Sequence, residues 1–160
     1  MKQKFNSPTL GKVDFKTVVA TILEFIQKEK LTHYRIIIGT DSEGNGKSVE
    51  FVRVIIVYEV GRGGRYFWQK IKRENINSLR HKIYEETNLS LELAVLLLEQ
   101  IRAKIKKDFA QNLEIHVDVG ETGPTKDLIK EIRAMVVGNG FHLKTKPESF
   151  GASNVADKHL

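Results

Sequence analysis

The 160-residue chain carries 26 Lys plus Arg against 20 Asp plus Glu, a formal net charge of +6 and a pI near 9.5. That length suits one domain spanning 1–160, and the charge leans toward polyanionic partners such as nucleic acid. The absence of cysteine excludes a disulfide framework, a zinc–thiolate centre and a thiol nucleophile, and fits a reducing cytoplasm.

Residues 1–13 read as an irregular lead-in broken by Pro8 and Gly11. The start, Met1-Lys2-Gln3-Lys4-Phe5, is charged but has no apolar stretch after it, so no signal peptide is expected. No apolar run approaches the roughly 18 residues of a membrane span. Asp14 can cap a helix running to about Lys30, with Phe15, Val18, Val19, Ile22 and Ile26 at helical spacing. Residues 1–33 therefore form an N-terminal extension that carries a helix.

The apolar β-branched run Ile36-Ile37-Ile38 reads as a buried central strand, Arg35 to Asp41. A polar, glycine-rich loop follows. Its Gly44-Asn45-Gly46-Lys47-Ser48 lacks the spacing of a phosphate-binding loop, and a strand rather than a helix comes next. Strand two is expected over Val49–Val60, a hairpin turn over Gly61–Gly64 and strand three over Arg65–Arg73. Residues 74–89 are polar and read as partly helical. A strong helix is expected from about Asn88, capped by Asn88 or Ser90, to Asp108. Strand four is Glu114–Val119. Thr125 opens a helix that ends at Gly138-Asn139-Gly140, strand five is Phe141–Lys146, and a short helix after Pro147 closes the chain. Three strands joined by short turns and then βαβ units predict a mixed sheet covered by helices, with strands one and four adjacent and parallel.

Asp41 and Asp118 each stand near the end of one of those two strands, so adjacent parallel packing would bring both carboxylates to one sheet edge, where ligands of open α/β sheets gather. Two close like charges repel, and a hard divalent cation such as magnesium or manganese relieves that cost. The competing readings are a turn cap for Asp41 and an exposed loop acid for Asp118. Glu92 lies in the first turns of the expected long helix, where an acid also suits the helix dipole. Asp157 lies in the last helix. Glu85 and Glu86 stand in for Glu92 if that helix starts earlier. Glu43 and Glu121 read as solvated loop charges, and His116, on the strand face of Asp118, as a satisfied histidine, the competing reading being assistance in proton transfer.

This order of acids, with Thr87-Asn88-Leu89-Ser90-Leu91-Glu92-Leu93-Ala94, resembles ribonuclease H-like nucleases. Gly39-Thr40-Asp41-Ser42, Asp118-Val119-Gly120, Gly123-Pro124-Thr125-Lys126, Lys146-Pro147-Glu148-Ser149 and Val155-Ala156-Asp157 resemble more closely the YkuK-type family, small bacterial proteins of that class. The resemblance covers roughly residues 35–160. It implies an α/β fold with five strands in order 3-2-1-4-5 and helices on both faces. It also implies a site of Asp41, Glu92, Asp118 and Asp157 holding two Mg2+ or Mn2+ ions about 4 Å apart for phosphodiester hydrolysis. Asp41 would bridge the ions, Glu92 and Asp118 would complete one shell and Asp157 the other. The sequence stops three residues after Asp157, so the last helix is expected to be short. The expected activity is a metal-dependent nuclease acting on RNA, an RNA–DNA hybrid or structured DNA, the rival being a non-catalytic nucleic-acid-binding module on the same fold. Thr125 and Lys126, at an expected helix N-terminus, are candidates for a phosphate contact. Arg62, Arg65, Lys70, Lys72 and Arg73 interleave with Tyr66, Phe67 and Trp68 in a pattern that suits nucleic-acid binding; the competing reading is an exposed hairpin with Trp68 buried.

Overall fold

The run Ile36-Ile37-Ile38 is fully buried in the middle of a sheet, as its lack of any polar alternation demands. The computed structural model describes residues 3–28, 34–59, 61–105 and 112–160. In chain order these form β1 (Lys4–Ser7), β2 (Gly11–Asp14), α1 (Phe15–Lys28), β3 (Tyr34–Glu59), β4 (Gly63–Ile76), α2 (Leu79–Arg102), β5 (Leu113–His116), α3 (Ile129–Gly138) and β6 (His142–Lys144). A π-helical turn, Gly151–Ala156, and a 3-10 turn, Asp157–His159, close the chain.

β3 is a ribbon that doubles back on itself. Thr40 Oγ1 lies 2.7 Å from Ser90 Oγ, while Arg53 Nη1 donates to the carbonyl of the adjoining Leu89 at 3.2 Å. In a straight strand Thr40 and Arg53 would stand about 43 Å apart, far beyond such a shared contact. The fold-back falls where Gly44 and Gly46 take positive φ of 108° and 63°, a region that favours glycine. The two arms are the expected strands one and two.

The sheet order is β2-β1-β4-β3-β5-β6. β3 pairs antiparallel with β4 from Gly46↔Ile76 to Glu59↔Gly63, and parallel with β5 from Ile36↔Leu113 to Gly39↔His116. β5 pairs parallel with β6. With the two arms counted separately, β4 to β6 reproduce the order 3-2-1-4-5. Two further strands are a correction to the expected lead-in. β1 and β2 form a hairpin that joins the β4 edge at Asn6↔Trp68. Each is four residues long, too short for alternation to register in the sequence, yet Phe5 is completely buried.

Asp14 caps α1 as expected, its Oδ1 accepting from the Thr17 backbone N–H at 2.8 Å. The expected end of that helix at Lys30 lies outside the described residues, as does the expected end of the long helix at Asp108. α2 begins well before Asn88: Ser78 is its cap, accepting from the His81 N–H at 3.0 Å. The polar composition of its first turns hides this start from a reading based on apolar periodicity.

The main core joins α1, α2 and α3 to one face of the sheet through Phe5, Ile36, Ile38, Phe67 and Ile115, among others. The opposite face carries a smaller cluster of Ile37, Val52, Val54, Ile56 and Ala156 under the closing turns. Both faces thus carry helical segments, but the second has only short turns. These pack backbone to backbone on β3: a Cβ on Gly39 would lie 2.8 Å from both Ala152 N and the Gly151 carbonyl carbon.

Candidate metal centre

The hydrogen bonds that link Thr40 to Ser90 and Arg53 to the Leu89 carbonyl fix how α2 is rotated over the sheet. They place Glu86, one turn before Ser90, against the loop that leaves the central strand. The Ser42 hydroxyl donates to Glu86 Oε1 at 2.5 Å. Glu86 is only 4% exposed, and its Oε2 is buried with no hydrogen-bond partner. Burial pushes its carboxyl up to about 8, opposed by the Ser42 bond and reinforced by the charges of Asp41 and Asp118.

Asp41 follows the parallel section of β3 and accepts from the Ser42 backbone N–H at 2.9 Å. Burial raises its carboxyl to about 6 against that bond, with Asp118 and Asp157 adding like charge. Asp157, exposed on the closing turn, stands close enough for the two carboxyls to share a hydrogen bond when one is protonated. Asp118 follows β5. Its Oδ1 accepts from Ser153 Oγ at 2.8 Å and lies 3.4 Å from Lys146 Nζ.

Two of the other acids expected from the sequence, Asp118 and Asp157, therefore both act on Asp41. Glu92 is not among them. Its side chain is 55% exposed and faces Arg53 at 3.7 Å. Six residues separate it from Glu86, about 240° round the helix, so one rotation of α2 cannot present both. The physical reason is the earlier helix start. A sequence signal for Glu86 exists: Ile83, Glu86, Ser90, Leu93 and Leu97 form one buried row at helical spacing, with two polar residues set inside it.

Thr125 and Lys126 are placed differently from the expected helix N-terminus. The Thr125 hydroxyl is buried and accepts from the Gly120 N–H at 3.2 Å, tying the 120–125 loop together. Lys126 is exposed on a three-residue 3-10 turn, and α3 starts only at Ile129.

His116 lies outside the acid group. It is fully buried, accepts from the Gly151 N–H at Nδ1 (3.0 Å) and sits 3.2 Å from Glu114 Oε1 through Nε2. Since Nδ1 accepts, the tautomer assigned to this network carries its proton on Nε2. Arg35 holds Glu114 with two bonds of 2.5 and 2.7 Å.

Among the described residues, no three His, Cys, Asp or Glu side chains yet close on a single point at metal-ligand spacing. The donor chemistry nonetheless fits a hard divalent cation: the acids are all oxygen donors, and one buried oxygen is unpartnered.

The mixed sheet with helical segments on both faces agrees with a ribonuclease H-like fold. The chain belongs to the ribonuclease H-like family, whose family model matches residues 17–160. It is also 30% identical, over 160 aligned residues, to the uncharacterized protein YkuK of Bacillus subtilis (strain 168), covering 92% of this chain and 91% of that one. No solved structure matches the chain. No helix among the described residues is long and apolar enough to cross a membrane.

Proposed function

We propose that the protein is a divalent-cation-dependent phosphodiesterase acting on nucleic acid, with Asp41, Glu86, Asp118 and Asp157 as the ligand set. The observation that carries this reading is the buried, unpartnered Glu86 Oε2, held beside two further carboxylates. A protein does not ordinarily leave such a group unsatisfied, because the desolvation cost is large. Magnesium or manganese bound there would supply the positive charge that activates water and stabilises the leaving oxygen of a phosphodiester. The chain's own residues prepare the site. Ser42 orients Glu86 through its hydroxyl and Asp41 through its backbone N–H. Ser153 and Lys146 hold the Asp118 carboxylate in place. Asp157 arrives with the closing turn, which packs on β3 at Gly39.

The test is cleavage of end-labelled RNA, RNA–DNA hybrid and DNA substrates in magnesium or manganese. Wild type is expected to cut, with Asp41→Asn slower by at least about a hundredfold, since even residues that merely orient metal ligands cost 10–100-fold. Equal cleavage by both would overturn the assignment. The open spacing of the acids favours a second reading, a nucleic-acid-binding module without catalysis. That reading expects salt-dependent binding and no manganese-induced rise in melting temperature.

A further inference from the structure

Strand alternation divides the far edge of the sheet into two faces. Phe5 and Phe67 are fully buried in the main core, with Val13 packed against them. Their neighbours Lys4, Asn6, Lys12, Trp68 and Lys70 lie on the opposite face. The closing turns pack on β3 and reach β4 at His159, leaving the part beyond Trp68, over β1 and β2, open. That part is a groove of about 780 Å³ lined by Lys4, Asn6, Lys12, Trp68, Gln69 and Lys70.

Its charge is one-sided. No carboxylate lines it: Asp14, paired across from Lys4, turns its Oδ1 to the backbone N–H and hydroxyl of Thr17, and Lys4 and Lys12 are exposed with no ion pair among the described residues. Lys70 has one partner, Glu50, at 2.8 Å. At the inner end, Trp68 stacks on His159 with ring centroids 4.1 Å apart and planes 11° from parallel. His159 Nε2 lies 3.1 Å from the Tyr66 hydroxyl. His159 follows Asp157 by two residues, so the turn that carries an acid of the candidate metal centre also builds the stack.

We propose that this groove binds a single-stranded stretch of nucleic acid, with its phosphates on Lys4, Lys12 and Lys70 and a base extending the Trp68–His159 stack. An array of ammonium groups ending in a flat ring pair suits a strand whose bases are free to stack. A duplex offers the groove only its phosphates. The inference deepens the phosphodiesterase reading by naming the form of the substrate, and rests on it only for what the bound strand is for.

Trp68 is the sole tryptophan, so its fluorescence reports the groove directly. The experiment titrates the whole chain in EDTA with dT10, rU10 and a blunt ten-base-pair duplex. Both single strands are expected to quench the emission saturably, and whichever binds tighter identifies the preferred sugar. Three phosphate contacts give a slope of log K against log salt of about −2, at roughly −0.7 per contact. Lys4→Glu/Lys12→Glu is expected to bind at least about tenfold more weakly with a slope nearer −0.7. The milder Lys4→Gln/Lys12→Gln shows the same trend and guards against misfolding. Absence of quenching, quenching indifferent to both double variants, or duplex binding as tight as either single strand would overturn the proposal. Because EDTA excludes cleavage, quenching without nuclease activity would sink the phosphodiesterase reading alone. Activity without quenching would sink the groove alone.

Discussion

Two groups of carboxylates sit on opposite sides of the same problem. Glu114, on β5, is buried, and burial opposes its ionisation. The bonds from Arg35 and His116 outweigh that cost and hold its carboxyl down at about 2. Asp41, half-buried at the end of the central strand, and Glu86, buried on the helix over it, have mostly further acids as neighbours. Their carboxyls are held up at about 6 and about 8. The chain therefore neutralises one buried acid from within and leaves two others without enough positive charge. The first arrangement is a structural anchor, since His116 passes the bond on to Gly151 and the closing turn. The second is the carboxylate group on which the proposed cation site rests.

The sharpest way to break this contrast is Glu86→Gln set beside Glu92→Gln. Loss of Glu86 is expected to reduce metal-dependent cleavage by at least about a hundredfold. Loss of Glu92, exposed and facing Arg53, should leave cleavage within about twofold. Equal effects would return Glu92 to the site.

On the anchored side, Arg35→Ala strands Glu114 without its main partner. We expect a loss of about 2–3 kcal/mol, below the usual cost of breaking a fully buried pair because Arg35 is partly exposed. Chemical denaturation measures it. Gly39→Ala is expected to cost about 2 kcal/mol, because the added methyl meets the backbone of Gly151 and Ala152 and has no flexible side chain to displace. The same melt, read with the cleavage rate, tests whether Asp157 moves with the closing turn.

The same contrast is also read in pH dependence. Asp41 and Glu86 have folded values above the ordinary carboxyl range, so the folded chain binds more protons than the unfolded one. Their contribution to stability is then greatest at low pH and falls as pH rises from about 4 through about 6 for Asp41 and about 8 for Glu86. Glu114 works in the opposite sense, its stabilisation being lost as pH falls from about 4.5 toward 2. Metal-free protein should therefore be less stable at pH 8 than at pH 5, read as a lower melting temperature. Glu86→Gln or added manganese should shrink that difference. A flat melting profile across this range would show that the acids carry no strain for a cation to relieve.

Much of the fold was legible in the residues. The apolar run before Asp41 marked the central strand because a strand buried on both faces cannot alternate. The Asp14 cap and the glycine-rich turns were equally readable, since caps and turns depend on a few adjacent residues. Asp41 and Asp118 could be placed at one sheet edge because the parallel crossover leaves few alternatives. Glu86 was weighed only as a substitute for Glu92, because the first turns of α2 are polar and conceal the cap at Ser78. The β1–β2 hairpin went unread because four-residue strands carry too little periodicity.

The sequence by itself determined the five central strands, the helices among them and the acid that ends the central strand, because those features arise from local periodicity and turn chemistry. Only the tertiary structure decided which glutamate joins Asp41 and Asp118, which way the Thr125 hydroxyl faces, and that a basic groove widens the sheet. Each of these depends on the rotation and register of one element against another. Contacts between distant residues set that register, here Thr40 with Ser90 and Arg53 with Leu89.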